Sequence, residues 1–198
     1  MISVLGISGS PQWPSHTRTM LDVAFDAVRH SGARVELLDI RDWNLPPYSP
    51  QPRKVTPQIH ELRERFADAS AYLLATPAYH GGMSGMLKTL LDYVADDIGG
   101  KLFGLLITTE RDDAGSTAAQ LRDILSASLA WALPYDAVGA PDDFAAPGLL
   151  TAQRLRERLQ RLGRDVAVYG DLLAARFARD RVLGGGVQLG FAPWFAHE

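Results

Sequence analysis

Short apolar runs alternate with helical patterns along this whole chain, and that alternation constrains its fold most. Ala71-Tyr72-Leu73-Leu74-Ala75-Thr76 is apolar almost throughout. A strand with no polar face is covered on both sides. Leu102-Phe103-Gly104-Leu105-Leu106-Ile107 reads the same way, and Ile2-Ser3-Val4-Leu5 marks a buried first strand. Arg34-Val35-Glu36-Leu37-Leu38-Asp39 is a second strand, and a short fifth is expected near Tyr135 to Val138. Between them lie residues at helical spacing: Met20, Leu21, Ala24 and Val28; Ile59, Leu62, Phe66 and Ala69; Met86, Leu87, Leu90, Leu91 and Val94; Ala118, Leu121, Ile124, Leu125 and Leu129. A last long helix carries Leu155, Leu159, Leu162, Val166, Tyr169, Leu173 and Phe177, and is expected to end near Asp180. The sum is an α/β chain with a five-stranded parallel sheet and helices on both faces. The strand order is not written in one sequence. Either common open order places ligands beyond the carboxyl ends of the strands.

The loop after the first strand is therefore the first candidate for a site. It runs Gly6-Ile7-Ser8-Gly9-Ser10-Pro11-Gln12-Trp13-Pro14-Ser15-His16-Thr17-Arg18-Thr19. Such a turn presents backbone N–H groups beside the positive end of a helix, an arrangement that binds phosphate. It carries no lysine, so hydroxyl and amide donors, with Arg18, would balance the charge. Such a site suits a phosphate that stays bound. The bland alternative is a turn whose hydroxyls cap the helix. Capping accounts for one or two of Ser15, Thr17 and Thr19, not for so many small and hydroxylated residues. The Walker pattern is excluded, because no Gly-Lys precedes the hydroxyl residue. The dinucleotide fingerprint is excluded by the spacing of Gly6 and Gly9. A serine-nucleophile elbow at Ser8 fails at Ser10, where glycine is required.

The 198 residues suffice for one sizeable core. A net charge of −3 provides no field to hold nucleic acid or an anionic membrane. The absence of cysteine removes disulfides, thiolate metal sites and thiol catalysis. The five histidines, His16, His30, His60, His80 and His197, show no metal-ligand spacing, so no metal is expected. No stretch approaches a membrane span, and the first strand starts at the N-terminus, leaving no room for a signal peptide. The expected location is the cytoplasm.

Two further loops follow strands three and four. In Thr76-Pro77-Ala78-Tyr79-His80-Gly81-Gly82-Met83-Ser84-Gly85-Met86-Leu87-Lys88, the paired glycines let backbone approach a flat ligand. Tyr79 and Met83 offer aromatic and polarisable surface. Ser84 is a candidate helix cap, and a salt bridge is the bland reading of Lys88. In Thr108-Thr109-Glu110-Arg111-Asp112-Asp113-Ala114-Gly115-Ser116-Thr117, hydroxyls and amides can meet the polar edge of a ring. The plainer reading is a solvated loop with Ser116 or Thr117 as N-cap.

Taken together these loops resemble the NADPH-dependent FMN reductase family. Gly9-Ser10-Pro11-Gln12-Trp13-Pro14-Ser15-His16-Thr17 is similar to that family's serine-rich loop. Its Pro-containing form most resembles the FMN reductases that supply alkanesulfonate monooxygenases. The second motif, Thr-Pro-x-Tyr-x-x-x-x-Ser-Gly-x-Leu-Lys-x-x-Leu-Asp, is present in full from Thr76 to Asp92. The resemblance covers roughly residues 1 to 178. Gln12 stands where the family usually has arginine, which removes a charge-assisted phosphate contact. Glu110 to Asp113 replace much of a glycine-rich stretch.

The resemblance implies a flavodoxin-like fold and bound FMN. Ser8, Ser10, Gln12, Ser15 and Thr17 would line the phosphate end. Pro77, Ala78, Tyr79, His80 and Gly81 would line the isoalloxazine, with Thr108 and Thr109 approaching from strand four. NADPH, or NADH, would pass hydride to the flavin, which does the chemistry without a catalytic side chain. Arg18 and Arg111 are candidates for the NADPH phosphate. The acceptor would be free flavin, a quinone or another small molecule, with a flavin-dependent monooxygenase as a candidate partner. The family prior is a homodimer or homotetramer. Competing readings are a flavodoxin-type electron carrier and a serine hydrolase built on Ser8. The division expected is one FMN-binding domain over residues 1–181 and an aromatic tail over 182–198. Its Phe191, Trp194 and Phe195 are expected to pack on a neighbouring subunit near the flavin.

Overall fold

The computed structural model describes residues 2–50, 56–111, 113–146, 148–183 and 190–192. Five strands form a parallel sheet: β1 (Ser3–Ser8), β2 (Arg34–Asp39), β3 (Ala71–Pro77), β4 (Leu102–Thr108) and β5 (Trp131–Gly139). Their order is β2-β1-β3-β4-β5. This is the flavodoxin order, with the switch point between β1 and β3. β3 lies at the centre, and all its residues are buried, as its apolar run predicts.

Alternate strand residues feed two cores. Leu5, Ile7, Tyr72, Leu74, Phe103, Leu105 and Ile107 face one layer, made by α2 (Pro57–Asp68), α3 (Gly85–Tyr93) and α4 (Ala114–Ala127). Val4, Leu73, Ala75 and Leu106 face the other, made by α1 (His16–His30) and α5 (Gln153–Leu183). This is the period of two that a pleated strand imposes. A small antiparallel pair, β6 (Phe144–Ala146) and β7 (Leu149–Leu150), is inserted between β5 and α5.

Tyr72 is fully buried and donates its hydroxyl to Phe66 O at 2.5 Å. The Lys101 ammonium donates to Phe66 O at 2.6 Å and Ala67 O at 2.7 Å, which satisfies carbonyls at the end of α2. Burial pulls the Lys101 amine down to about 8.

Four boundaries differ from the sequence reading. β1 continues to Ser8, so Gly6-Ile7-Ser8 belong to the strand and not to the loop. Gly6 sits there because a Cβ would meet Phe25 Cζ at 2.2 Å. β5 begins at Trp131, because the alternation at its start is masked by partial exposure. α4 starts at Ala114, so neither Ser116 nor Thr117 is its N-cap. α5 runs to Leu183 rather than ending near Asp180.

The tail also differs. Val182 and Leu183 are helical, and Trp194 and Phe195 lie outside the described residues. Phe191 folds back on its own chain, with ring centroids 5.7 Å from Phe177 and 6.3 Å from Trp131. Trp131 opens β5, so this contact lies at the amino ends of the strands, away from where ligands bind. Among the described residues, no helix is long and apolar enough to cross a membrane.

Candidate functional site

The carboxyl ends of β1, β3, β4 and β5 open into one cleft of about 510 Å³. That volume suits a nucleotide-sized cofactor. Its first wall is the loop from Gly9 to Ser15. Gly9 N–H donates to Ala75 O at 2.7 Å, which ties the loop to the central strand. Ser84 Oγ donates to Gly9 O at 2.6 Å and accepts the Leu87 N–H at 3.2 Å. One hydroxyl thus caps α3 and anchors the phosphate-type loop. Ser15 is the N-cap of α1, its Oγ accepting the Arg18 N–H at 3.4 Å. Ser10 Oγ accepts the Gln12 N–H at 3.2 Å. A hydroxyl that accepts still has its own proton to donate. Ser10, Gln12, Ser15 and Thr17 all line the cleft.

The second wall is the exit of β3. Ala78 N–H donates to Thr108 O at 2.7 Å. Tyr79 and Gly82 exchange backbone hydrogen bonds at 2.7 and 3.0 Å across a tight turn. Its central residues, His80 and Gly81, have φ of 54° and 80°. Two successive left-handed residues are what a primed turn requires, and glycine takes the second at little cost. Pro77, Ala78, Tyr79 and His80 line the cleft. Burial raises the Tyr79 phenol above its ordinary pKa, and the nearby Glu110 carboxylate adds to the rise.

Two expected residues are not in the wall. Ser8 is 1% exposed inside β1, because the strand extends past the expected boundary. It makes no hydrogen bond with a histidine among the described residues, so the hydrolase reading loses its nucleophile. Gly81 is turned toward α4. Its N–H donates to Asp113 Oδ2 at 3.3 Å, and its carbonyl accepts Ser116 Oγ at 2.9 Å and Gln120 Nε2 at 3.0 Å.

The third wall follows β4. Thr108 and Thr17 share a hydroxyl hydrogen bond of 2.8 Å across the cleft floor. Thr109 N–H donates to Gly139 O at 3.0 Å. The Thr109 hydroxyl also contacts the Asp113 carboxylate. That hydroxyl is the main cause holding the Asp113 carboxyl below its ordinary range. Glu110 and Arg111 line the same side.

A fourth wall was not foreseen. Gly139, Ala140 and Pro141 close the cleft from the end of β5, and Pro14 and His16 line it too. The parallel sheet carries the signal for the first three, since its strands end on a common edge. The His16 ring lies flat on Phe144, with centroids 4.1 Å apart and planes 1° from parallel.

Arg18 stands apart from the wall. Its guanidinium pairs with Asp22 at 2.9 Å and approaches Asp39 at 3.9 Å. Arg41 grips Asp39 with two N–H groups at 2.9 and 2.7 Å and lies over the Trp13 ring, 4.7 Å from its centroid. Lys88 is salt-bridged to Asp92 at 2.6 Å. No group of three or more metal-type ligands is found among the described residues.

Known proteins resemble this chain in sequence and fold. An FMN reductase (NADPH) of Escherichia coli K12 is 32% identical over 97 residues, 47% of this chain and 48% of that protein. An FMN-dependent NADPH-azoreductase of Staphylococcus aureus is 27% identical over 145 residues, 70% of this chain and 77% of that protein. The chain's matches to its first curated relatives span about half of their length. Among solved structures, the flavoenzyme NAD(P)H:(acceptor) oxidoreductase FerB of Paracoccus denitrificans superposes with a TM-score of 0.73 at 18% identity, covering 87% of this chain and 99% of that one. That likeness carries the fold. The model of one family, described as NADPH-dependent FMN reductase, matches residues 2–145, and the chain belongs to that family.

Proposed function

We propose that this chain holds FMN in the cleft and serves as an NAD(P)H-dependent FMN reductase. The observation that carries the reading is convergence. A hydroxyl-rich loop at the start of a helix meets, in one cleft, a tight turn and a threonine pair suited to a flat polar ring. The donor set fits the group. A phosphate needs donors, and Ser10, Ser15 and the α1 amino end provide them. Ser10, Gln12, Ser15 and Thr17 would hold the phosphate. Pro77, Ala78, Tyr79 and His80 would line the ring, with Thr108 and Thr109 at its polar edge.

Bound FMN supplies hydride acceptance and delivery, chemistry that no side chain here provides. The chain's own residues position and shield. The Tyr79–Gly82 turn is fixed to α4, so its backbone keeps one shape beside the ring. The Thr17–Thr108 bond closes the floor beneath the cofactor. Ser8 is buried inside β1 and is not placed to act as a general acid or base.

A small-molecule acceptor is the expected oxidant: free flavin, a quinone or an azo compound, the last in line with the azoreductase relative's name. A flavin-dependent monooxygenase receiving reduced FMN and a cytoplasmic location fit the same reading. Trp13, which lies between the cleft residues Gln12 and Pro14, and Tyr79 expose apolar surface at the cleft, which supports a homodimer or homotetramer with its sites near subunit contacts. The alternative is a flavodoxin-type carrier without its own NADPH oxidation.

Titration with FMN, followed by NADPH oxidation with a quinone or free flavin and no partner protein, tests the reading. Saturable binding and turnover support it. Binding without turnover would favour the carrier, and no binding would remove both.

A further inference from the structure

We propose that His16 is the cation for the flavin phosphate in this chain, so that FMN is held more tightly when the imidazole is protonated. The inference rests on the FMN reading of the cleft. It starts from a missing charge. The stretch from Gly9 to Ser15 contains no lysine or arginine, and Gln12 fills the place where the family usually has a guanidinium. A phosphate retains about −1.5 to −2 charge at neutral pH. Two arginines near the loop are engaged elsewhere. Arg18 is paired with Asp22 and Asp39, and Arg41 is forked onto Asp39. Arg111 lines the same cleft from the loop after β4, on the wall read as flanking the ring rather than the phosphate.

His16 occupies the remaining position. It is the first residue of α1, directly after the N-cap Ser15, and it lines the cleft with Ser10 and Ser15. Its ring plane is fixed by the stack on Phe144. Neither ring nitrogen has a hydrogen-bond partner among the described residues. A ring held flat at the wall of the cleft, with neither nitrogen engaged among the described residues, is ready to donate to an anion. Histidine changes charge between about pH 5 and 8.

The surrounding charges leave that role open. Phe144 is neutral, and so are Leu149 and Leu150 of β7. Asp142 and Asp143 precede Phe144, and the Asp143 carboxylate is hydrogen-bonded to Ala140 N–H at 2.8 Å. From α5, Arg156 donates to Leu150 O at 2.7 Å. Tyr79, His80, Glu110, Arg111 and Asp113 line the same cleft from the loops after β3 and β4.

The test compares FMN with riboflavin, which lacks the phosphate, by flavin fluorescence at about pH 5.5 and about pH 8. Unaltered chain, His16→Gln and His16→Arg are titrated in parallel. FMN takes its own second phosphate charge near about pH 6, so the informative quantity is the ratio between proteins at each pH. His16→Gln is expected to weaken FMN about tenfold at the lower pH and little at the higher, as for loss of a charged hydrogen bond. His16→Arg keeps FMN tight at both. Riboflavin affinity is the same in all three, which also shows that the variants fold. A His16→Gln effect that is equal at both pH values, or equal for riboflavin, overturns the proposal. Absence of saturable FMN binding by the unaltered chain overturns the FMN reading and the proposal with it.

Discussion

Asp113 Oδ2 accepts the Gly81 N–H at 3.3 Å, joining the start of α4 to the turn after β3. The same carboxylate meets the Thr109 hydroxyl, so one side chain links both loops that would flank the flavin ring. His80 keeps its left-handed backbone only while the turn is anchored, so removing an anchor lets the turn relax to another shape. Asp113→Ala is therefore expected to weaken FMN about tenfold or less, with little change in global stability. The sign with pH follows from the depressed carboxyl. Its stabilising contacts are complete above the ordinary aspartate range and fail only as pH falls through the folded-state pKa below it. Flavin titrations across pH should show no loss from this group down to about pH 4. A loss centred near neutral pH that the unaltered chain shows and Asp113→Ala lacks would contradict the assignment.

The hydroxyls of the first loop give the second prediction. Ser10→Ala and Ser15→Ala should each weaken FMN by about 1–3 kcal/mol, as for hydrogen bonds to a charged group. Ser15→Ala should also lower stability by about 1 kcal/mol through the lost N-cap. Gln12→Arg should tighten FMN by restoring a cation to the loop. Calorimetric titration measures all three. Unchanged FMN affinity in both alanine variants would remove the phosphate from this loop.

Much of this site was legible before the fold was known, because its chemistry is carried by contiguous loops. Met20, Leu21, Ala24 and Val28 gave the inner face of α1 by spacing alone, and all four are buried. Ser84 was readable as a cap, but its second bond, to Gly9 O, crosses from α3 to the first loop. Such long-range partners leave no local trace. Gly6 and Ser8 looked like loop residues, since glycine and serine are common in turns. The Phe25 ring lying over Gly6 explains why a glycine stands inside the strand, which pairs on through Ser8 with β2 and β3. Ser116 looked like a helix cap and instead donates to the Gly81 carbonyl. The wall at Gly139 to Pro141 needed the strand order, which pattern alone does not supply.

His80 has the geometry of a turn residue, with φ of 54°. Asparagine tolerates that backbone region, whereas alanine does so at a cost of about 1–2 kcal/mol. His80→Asn is the cleaner test of whether the ring takes part in proton transfer. Most of the NADPH oxidation rate at saturating FMN should remain. A loss of several decades in kcat with FMN still bound would reveal an acid or base on the β3 loop.

Lys101 sets a stability prediction far from the cleft. Its folded-state amine is pulled down to about 8 by burial, against an ordinary value of 10.5. Between these values the unfolded chain binds more protons than the folded one, so this group makes stability rise with pH. The rise begins near pH 8 and amounts to about 3 kcal/mol if complete. Burial raises the phenols of Tyr72 and Tyr135, which reverses the slope once unfolded tyrosines ionise above about pH 10. Urea unfolding from about pH 7 to about pH 10 should show the rise in the unaltered chain and lose it in Lys101→Met. An identical slope in both would show that the amine does not titrate in this window.

Phe191 tests what the tail does. It touches Phe177 and Trp131, at the end of the sheet opposite the cleft. Removing the ring should cost about 0.5–1.5 kcal/mol of aromatic contact. For a chain of this size that corresponds to a fall in Tm of about 2–4 °C per kcal/mol. FMN affinity should be unchanged in Phe191→Ala, because the Phe177 and Trp131 contacts lie at the end of the sheet opposite the cleft. Thermal unfolding and flavin titration of the same variant decide the matter. A weakened flavin complex with an unaltered Tm would return the tail to the active site, through a neighbouring subunit rather than its own.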